Sequence, residues 1–217
     1  PHYNDKFPHY SAFEIRTRVG EMQQALNRCS IPLRLFAGHE ALVQPGLIDD
    51  IQAGRLATLH GSCYLLLEFW NNTWLPGMER ILFELRAYGI VPVLAHPERC
   101  TVIQQEPYRL ASLVEQGVLA QLTASSLLGV DGREAQKCAE VLLKKGLVHC
   151  IASDAHSLRT RRPHVLRALQ YASQLLGVRR VYAMAETWPA VILSNDESNL
   201  VLARQVQQAG YFVHTLG

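Results

Sequence analysis

The chain has 217 residues, 48% of them hydrophobic and 18% charged, and 21 Lys and Arg against 19 Asp and Glu leave a formal net charge of +2. That apolar balance excludes a disordered chain, and near-neutrality gives no electrostatic reason to expect nucleic acid or an anionic membrane as partner. At about 150 residues per domain the length predicts a single domain, which should bury roughly 70% of its unfolded surface without a disulfide or metal staple.

In chain order, apolar periodicity predicts a helix over residues 12–29 and a strand at 33–37, then a helix at 46–53 and a strand at 64–69. A helix at 77–88, a strand at 91–95, a helix at 107–116 and a strand at 118–123 follow. The series closes with a helix at 133–145, a strand at 147–152 and a helix at 162–176. Residues 181–185 suit a strand by composition, but the Trp188-Pro189 break and the apolar residues after it favour short helices. Short apolar strands alternating with helices predict an α/β protein with largely parallel strands. No segment reads as a linker, and no apolar run approaches the ~18 residues that membrane insertion needs. Cys29, Cys63, Cys100, Cys138 and Cys150 are odd in number and include no C-x-x-C pair, which predicts free thiols in a reducing cytoplasm. Neither G-x-G-x-x-G nor the P-loop pattern occurs, so a nucleotide phosphate loop has no support.

Ionisable residues collect at the strand ends. The first strand is followed by Gly38-His39-Glu40, the second ends on Glu68, the third leads into His96-Pro97-Glu98-Arg99, and the fifth into Ser153-Asp154-Ala155-His156. The carboxyl ends of barrel strands converge on one face, so Glu40, Glu68, His96, Asp154 and His156 should share one mouth, with His2 as a further candidate. Carboxylates and imidazoles at that density call for cations; mixed His, Asp and Glu shells suit Zn, Mn or Fe, and the size of the set suggests more than one ion. Asp154 and His156, two apart on an extended segment, should face the same side. Each residue alone has a plainer reading as a cap or a solvated charge. His9, His39, His60, His149 and His164 have no positional argument and are expected to be surface or packing residues.

The pair Ala95-His96-Pro97-Glu98-Arg99 and Ser153-Asp154-Ala155-His156 resembles the PHP (polymerase and histidinol phosphatase) superfamily. Within it the chain is most similar to the bacterial manganese-dependent protein tyrosine phosphatases of the CpsB/YwqE type. The likeness runs from Pro1 to about Leu193 and includes Gly38-x-Glu40, Leu67-Glu68-Phe69, Thr123-x-x-Ser126 with Gly129, and Arg161 with Pro163-His164. The resemblance implies a distorted (βα)7 barrel over the single domain 1–217, with 194–217 a C-terminal extension. It implies a cluster of two or three metals, Mn²⁺ in the complete family site with Fe, Mg or Zn as substitutes. Its ligands by similarity are His2, Glu40, Glu68, His96, Asp154 and His156, with Glu68 bridging. Arg99 and Arg161 match arginines that hold the substrate phosphate, a task suited to a planar bidentate fork. The family opens with D-x-H-x-H and D-D-G segments that this chain does not contain. The first strand, first helix and most of the second strand are therefore expected to be missing, activity to be impaired, and the exposed edge to self-associate. Tyr3 stands where many relatives have a second His.

The implied activity is phosphomonoester hydrolysis, on the phosphotyrosine tail of a bacterial tyrosine autokinase that controls capsule or exopolysaccharide synthesis, in the cytoplasm. Two alternatives stay open: a small-molecule phosphatase of the same superfamily, acting on histidinol phosphate or a nucleotide, and an inactive truncated binding module. No Cys-x5-Arg occurs, which sets a cysteine phosphatase aside. Trp70 and Trp74 are expected to seal the barrel edge, with stacking on a tyrosine ring as the other reading.

Overall fold

The computed structural model describes residues 1–4, 10–69, 73–159 and 161–195, so the expected extension lies outside the described residues beyond position 195. Six strands form one parallel sheet in sequential order: β1 (His2–Tyr3), β2 (Glu40–Leu42), β3 (Tyr64–Glu68), β4 (Val91–Ala95), β5 (Leu119–Thr123) and β6 (Cys150–Ala152). Helix α1 (Ala12–Arg28) starts at a capping box, in which the Ser11 hydroxyl accepts from the Glu14 amide and the Glu14 carboxylate accepts from the Ser11 amide. The sheet is then covered by α2 (Leu47–Gln52), α3 (Met78–Ala87), α4 (Thr101–Gln105), α5 (Tyr108–Glu115), α6 (Ala124–Leu127), α7 (Arg133–Lys144) and α8 (Leu166–Leu176).

The strand expected at 33–37 does not form. The Gln23 side chain donates to the Leu33 carbonyl at 2.9 Å and accepts from the Leu35 amide at 2.8 Å, so helix α1 takes up backbone groups that a ladder would have used. The strand forms instead at Glu40–Leu42, where Ala41 and Leu42 are buried. Helix α8 begins at Leu166 rather than 162, because Pro163 disfavours helical geometry at Arg162. Short helices form past residue 177 as expected, and the Trp188-Pro189 pair does not interrupt this last described helical stretch. Helix α9 (Val178–Tyr182) runs through a π turn (Ala183–Thr187) into α10 (Trp188–Ser194). Pro189 has no amide for the carbonyl four residues back, and the wider turn absorbs that loss.

Register decides what the two sheet faces carry. His2 pairs with Glu40, Glu40 with Leu66, and Leu42 with Glu68, so His2, Glu40 and Glu68 share a face with Tyr64 and Leu66. Across β4, β5 and β6 the same face continues through Val93, Leu119 and Cys150, and Trp188, Val191 and Ile192 of α10 pack on it. Leu65, Leu67, Leu94, Ala120, Leu122 and Ile151 point the other way, into a larger cluster with Leu82, Leu85, Leu110, Leu113, Leu142 and Leu143 of the covering helices. Both faces are therefore buried, as a parallel sheet requires. One face is apolar under Trp188 and ionisable towards the carboxyl ends of the strands.

Candidate metal and phosphate site

His2, Glu40 and Glu68 form the tightest donor group among the described residues, with one ligand atom from each lying within 4.8 Å of the others. His2 Nε2 lies 3.7 Å from Glu40 Oε2 and 3.9 Å from Glu68 Oε2. His96 Nε2 meets the other Glu40 oxygen at 3.0 Å, while its Nδ1 is buried with no hydrogen-bond partner among the described residues. The Asn4 amide donates to Glu68 Oε1 at 3.1 Å and orients that carboxylate. His96 sits at φ +37° directly before Pro97, a conformation that aims the imidazole back across the strand ends.

The charges are coupled. Burial pushes Glu40 up, but the hydrogen bond and positive charge of His96 outweigh it and hold the carboxyl below its ordinary value. Burial and then the Glu40 charge push Glu68 above its ordinary value. Burial pulls His96 down, and the Glu40 hydrogen bond and charge more than reverse it. Two carboxylates that act on each other, grouped with His2 and hydrogen-bonded to His96, form a mixed oxygen and nitrogen donor set.

Asp154 occupies the adjoining position. Its φ is +49°, so the extended 154–156 segment expected from sequence does not form; the His156 ring turns back, with Nδ1 at 2.8 Å from the Asp154 carbonyl. The two side chains nevertheless stay together, with His156 Nδ1 3.5 Å from Asp154 Oδ1, and the His156 ring lies 5.7 Å from that of His2. Asp154 Oδ2 accepts from Arg99 at 3.1 Å and from Arg161. Arg99 also reaches Asp131 Oδ2 at 2.9 Å, and that same oxygen accepts from Ser125 at 2.6 Å and Ser126 at 2.8 Å. Arg161 Nε is buried without a hydrogen-bond partner among the described residues. The arrangement holds two guanidiniums beside the donor group, fixed by carboxylates from separate loops.

All six candidate donors and both arginines thus fall in one connected region: three tightly grouped, His96 one hydrogen bond away, and Asp154 and His156 alongside. No motif or periodicity in the sequence marks Asn4 or Asp131. Only the Asp131-Gly132 pair, a turn signal, could have marked the second. Glu98, inside the His96 motif, is fully buried; its Oε1 accepts from the Thr123 amide at 3.2 Å, tying β4 to β5, and burial pushes its carboxyl up. His39 is a packing residue: Nδ1 accepts from the Ala57 amide at 2.8 Å, which leaves Nε2–H to donate to the Tyr10 carbonyl at 2.9 Å. His149 is buried likewise, its Nδ1 accepting from the Ala120 amide. Trp74 stacks on Phe69 at 5.9 Å and donates to Glu79, so its ring is engaged by the protein itself; Trp70 lies outside the described residues.

A parallel α/β sheet that carries imidazoles, carboxylates and paired arginines at its carboxyl ends is the architecture of a metal-assisted phosphate-handling enzyme. Residues 1–194 match the family described as capsular polysaccharide synthesis, CpsB/CapC, and the chain belongs to that family. It is 30% identical over 186 residues to the tyrosine-protein phosphatase YwqE of Bacillus subtilis (strain 168), a match covering 86% of this chain and 73% of that protein. It is 27% identical over 154 residues to the tyrosine-protein phosphatase CpsB of Streptococcus pneumoniae, covering 69% of this chain and 63% of that protein. Among solved structures it matches one from a study of YwqE from Bacillus subtilis and CpsB from Streptococcus pneumoniae, described as unique metal-dependent tyrosine phosphatases. The TM-score is 0.84 at 30% identity, over 90% of this chain and 79% of that one. No helix among the described residues is long and apolar enough to cross a membrane.

Proposed function

We propose that the protein hydrolyses phosphotyrosine in a metal-dependent reaction that serves capsular polysaccharide synthesis, with the phosphorylated tail of a cytoplasmic tyrosine kinase as substrate. The observation that carries this reading is the juxtaposition of the His2, Glu40 and Glu68 group with the Arg99 and Arg161 pair on Asp154, in a family whose named members are tyrosine phosphatases. The sheet is read as part of a distorted PHP-type barrel whose inner face holds both the Trp188 plug and the donor group.

The donors fit a divalent ion. Two half-buried carboxylates with oxygens within 4.8 Å of each other, one of them pushed towards protonation, together with the orphaned His96 ring nitrogen, form a set that a cation would satisfy. Glu40, Glu68, His2 and His96 would hold it, with Asp154 and His156 completing the set, and Mn²⁺ suits such a mixed oxygen and nitrogen shell. When bound, the ion supplies Lewis acidity towards phosphoryl oxygen and a water made acidic enough to attack phosphorus near neutral pH. The chain's own residues do the rest. Arg99 and Arg161 present fixed guanidinium donors to the non-bridging phosphate oxygens, and Arg161 Nε has its hydrogen bond still to make. Asp131 and Asp154 hold those forks in place, so little reorganisation is left for the moment of reaction. The leaving phenolate, with a free pKa of about 10, departs with less help from a general acid than an alkoxide needs.

The test is hydrolysis of a phosphotyrosine peptide, a phosphoserine peptide and small phosphomonoesters with Mn²⁺ added, alongside elemental analysis of wild type, Glu68→Ala and Asp154→Ala. The reading expects turnover confined to aryl phosphates and lower metal content in both variants. Equal metal content in all three proteins refutes the ligand assignment, and preferential turnover of a small alkyl phosphate replaces the substrate.

A further inference from the structure

Beside the Asp154 pair lies a second feature that hydrolysis of a single phosphate does not use. A cavity of about 520 Å³ opens there, lined by Ser125, Val130, Arg161, Arg162, His164 and Arg167 among others. Arg161 and Ser125 also belong to the phosphate site: Arg161 pairs with Asp154, and Ser125 Oγ lies 3.5 Å from Arg99. The cavity is therefore continuous with that site.

Its charge is unbalanced. Arg99 and Arg161 have carboxylate partners, whereas Arg162 and Arg167 meet none among the described residues; the side-chain bond Arg162 makes goes to the Arg159 carbonyl at 3.1 Å. Both are exposed, as is His164, and no carboxylate among the described residues lines the cavity. The rim is apolar, with Val130 70% and Leu166 66% exposed. Arg99 and Arg161 are assigned to the phosphotyrosine phosphate in the reading above, so two further cations in a concavity of this size have room and reason to take another anion. An apolar rim around cationic walls suits the stem and the head of an acidic side chain at once.

We propose that this cavity is a specificity subsite that binds an anionic side chain, carboxylate or second phosphate, of a residue neighbouring the phosphotyrosine in the substrate peptide, through Arg162 and Arg167. The proposal rests on the phosphotyrosine reading above and extends it from one residue to a peptide with acidic neighbours. Contacts at a partly exposed site discriminate modestly and are salt-sensitive, so a preference of about fivefold at low ionic strength is expected.

The experiment measures binding, by calorimetry with Mn²⁺ present, of three peptides that carry a non-hydrolysable phosphonomethyl-phenylalanine flanked by serine, by aspartate or by phosphotyrosine. Wild-type protein should bind the two acidic peptides about fivefold more tightly than the neutral one, and the ratio between those two reads which anion fits better. In Arg162→Gln/Arg167→Gln the preference should vanish, while turnover of a small aryl phosphate stays within about twofold. Arg167→Glu alone should reverse the preference and guards against a trivial loss in the double variant. A preference that survives in the double variant, equal wild-type binding of all three peptides, or no detectable binding of any of them overturns the subsite. Failure of the phosphatase reading shows separately, as absent turnover of the small aryl phosphate by wild type.

Discussion

Asp131 offers the sharpest test of how the arginines are held. Its Oδ2 accepts three hydrogen bonds, from Ser125 at 2.6 Å, Ser126 at 2.8 Å and Arg99 at 2.9 Å, and its side chain is 22% exposed. Hydrogen bonds to a charged group contribute about 1.5–3 kcal/mol each, but three on one oxygen are not additive, and water refills part of the gap. Asp131→Ala should therefore cost about 2–3 kcal/mol, which for a chain of this length lowers Tm by about 5–10 °C. Asp131→Asn keeps an acceptor for the serines but loses the charge, and should fall between. The pH dependence has a definite sign. Burial pushes Asp131 up, but the Ser125 and Ser126 hydroxyls and Arg99 outweigh it, so its folded carboxyl lies below the ordinary value. A depressed carboxylate contributes its stability above the unfolded pKa and loses it as pH falls through the folded one. The gap between wild type and Asp131→Asn should therefore be full at neutral pH and close below about pH 4. Thermal melts followed by circular dichroism across pH 3–7 decide it. A Tm for Asp131→Ala within about 2 °C of wild type at pH 7 would falsify the reasoning, because the three bonds would then contribute nothing.

Two further outcomes can be checked with the same preparations. Arg161→Lys keeps the charge and loses the fork, so the inhibition constant for inorganic phosphate should rise about tenfold, as one charge-assisted bond predicts; an unchanged constant removes Arg161 from the phosphate site. Burial raises the thiols of Cys138 and Cys150 to about 12 and also pushes Cys100 up, whereas Cys29 is exposed and Cys63 half-buried. At pH 8 a disulfide reagent should titrate Cys29 fast and Cys63 more slowly, with the other three reacting only in denaturant; rapid modification of all five thiols in the native protein would contradict this burial.

Sequence by itself determined the elements whose signals are local. Strands β3, β4 and β5 are short apolar runs with turn residues on either side, and helices α3, α5 and α7 repeat their apolar positions at helical spacing, so each appears within a residue or two of where periodicity puts it. Sequence also led to Glu68, His96, Asp154 and His156, because ionisable residues at strand ends stand out against apolar runs. Glu40 was reached through a strand at 33–37 that does not form, and it opens β2 instead of following a strand. Tertiary structure decided the rest. Residues 33–37 have strand composition, but Gln23, ten or more positions away, captures their backbone, and Glu40–Leu42 takes the place in the sheet. Trp188-Pro189 reads as a break until a π turn carries the helix past it and lays Trp188 on Tyr64, Val93 and Leu119. Asp131 stands at no strand end, and Asn4 follows a β1 of two residues that is too short to read from periodicity; they join the site only because folding brings Arg99 and Glu68 to them. Periodicity is set by neighbours three or four residues apart along the chain. A partner for a charge is chosen by distance in space, and for Asn4 and Glu68 that spans 64 positions of sequence.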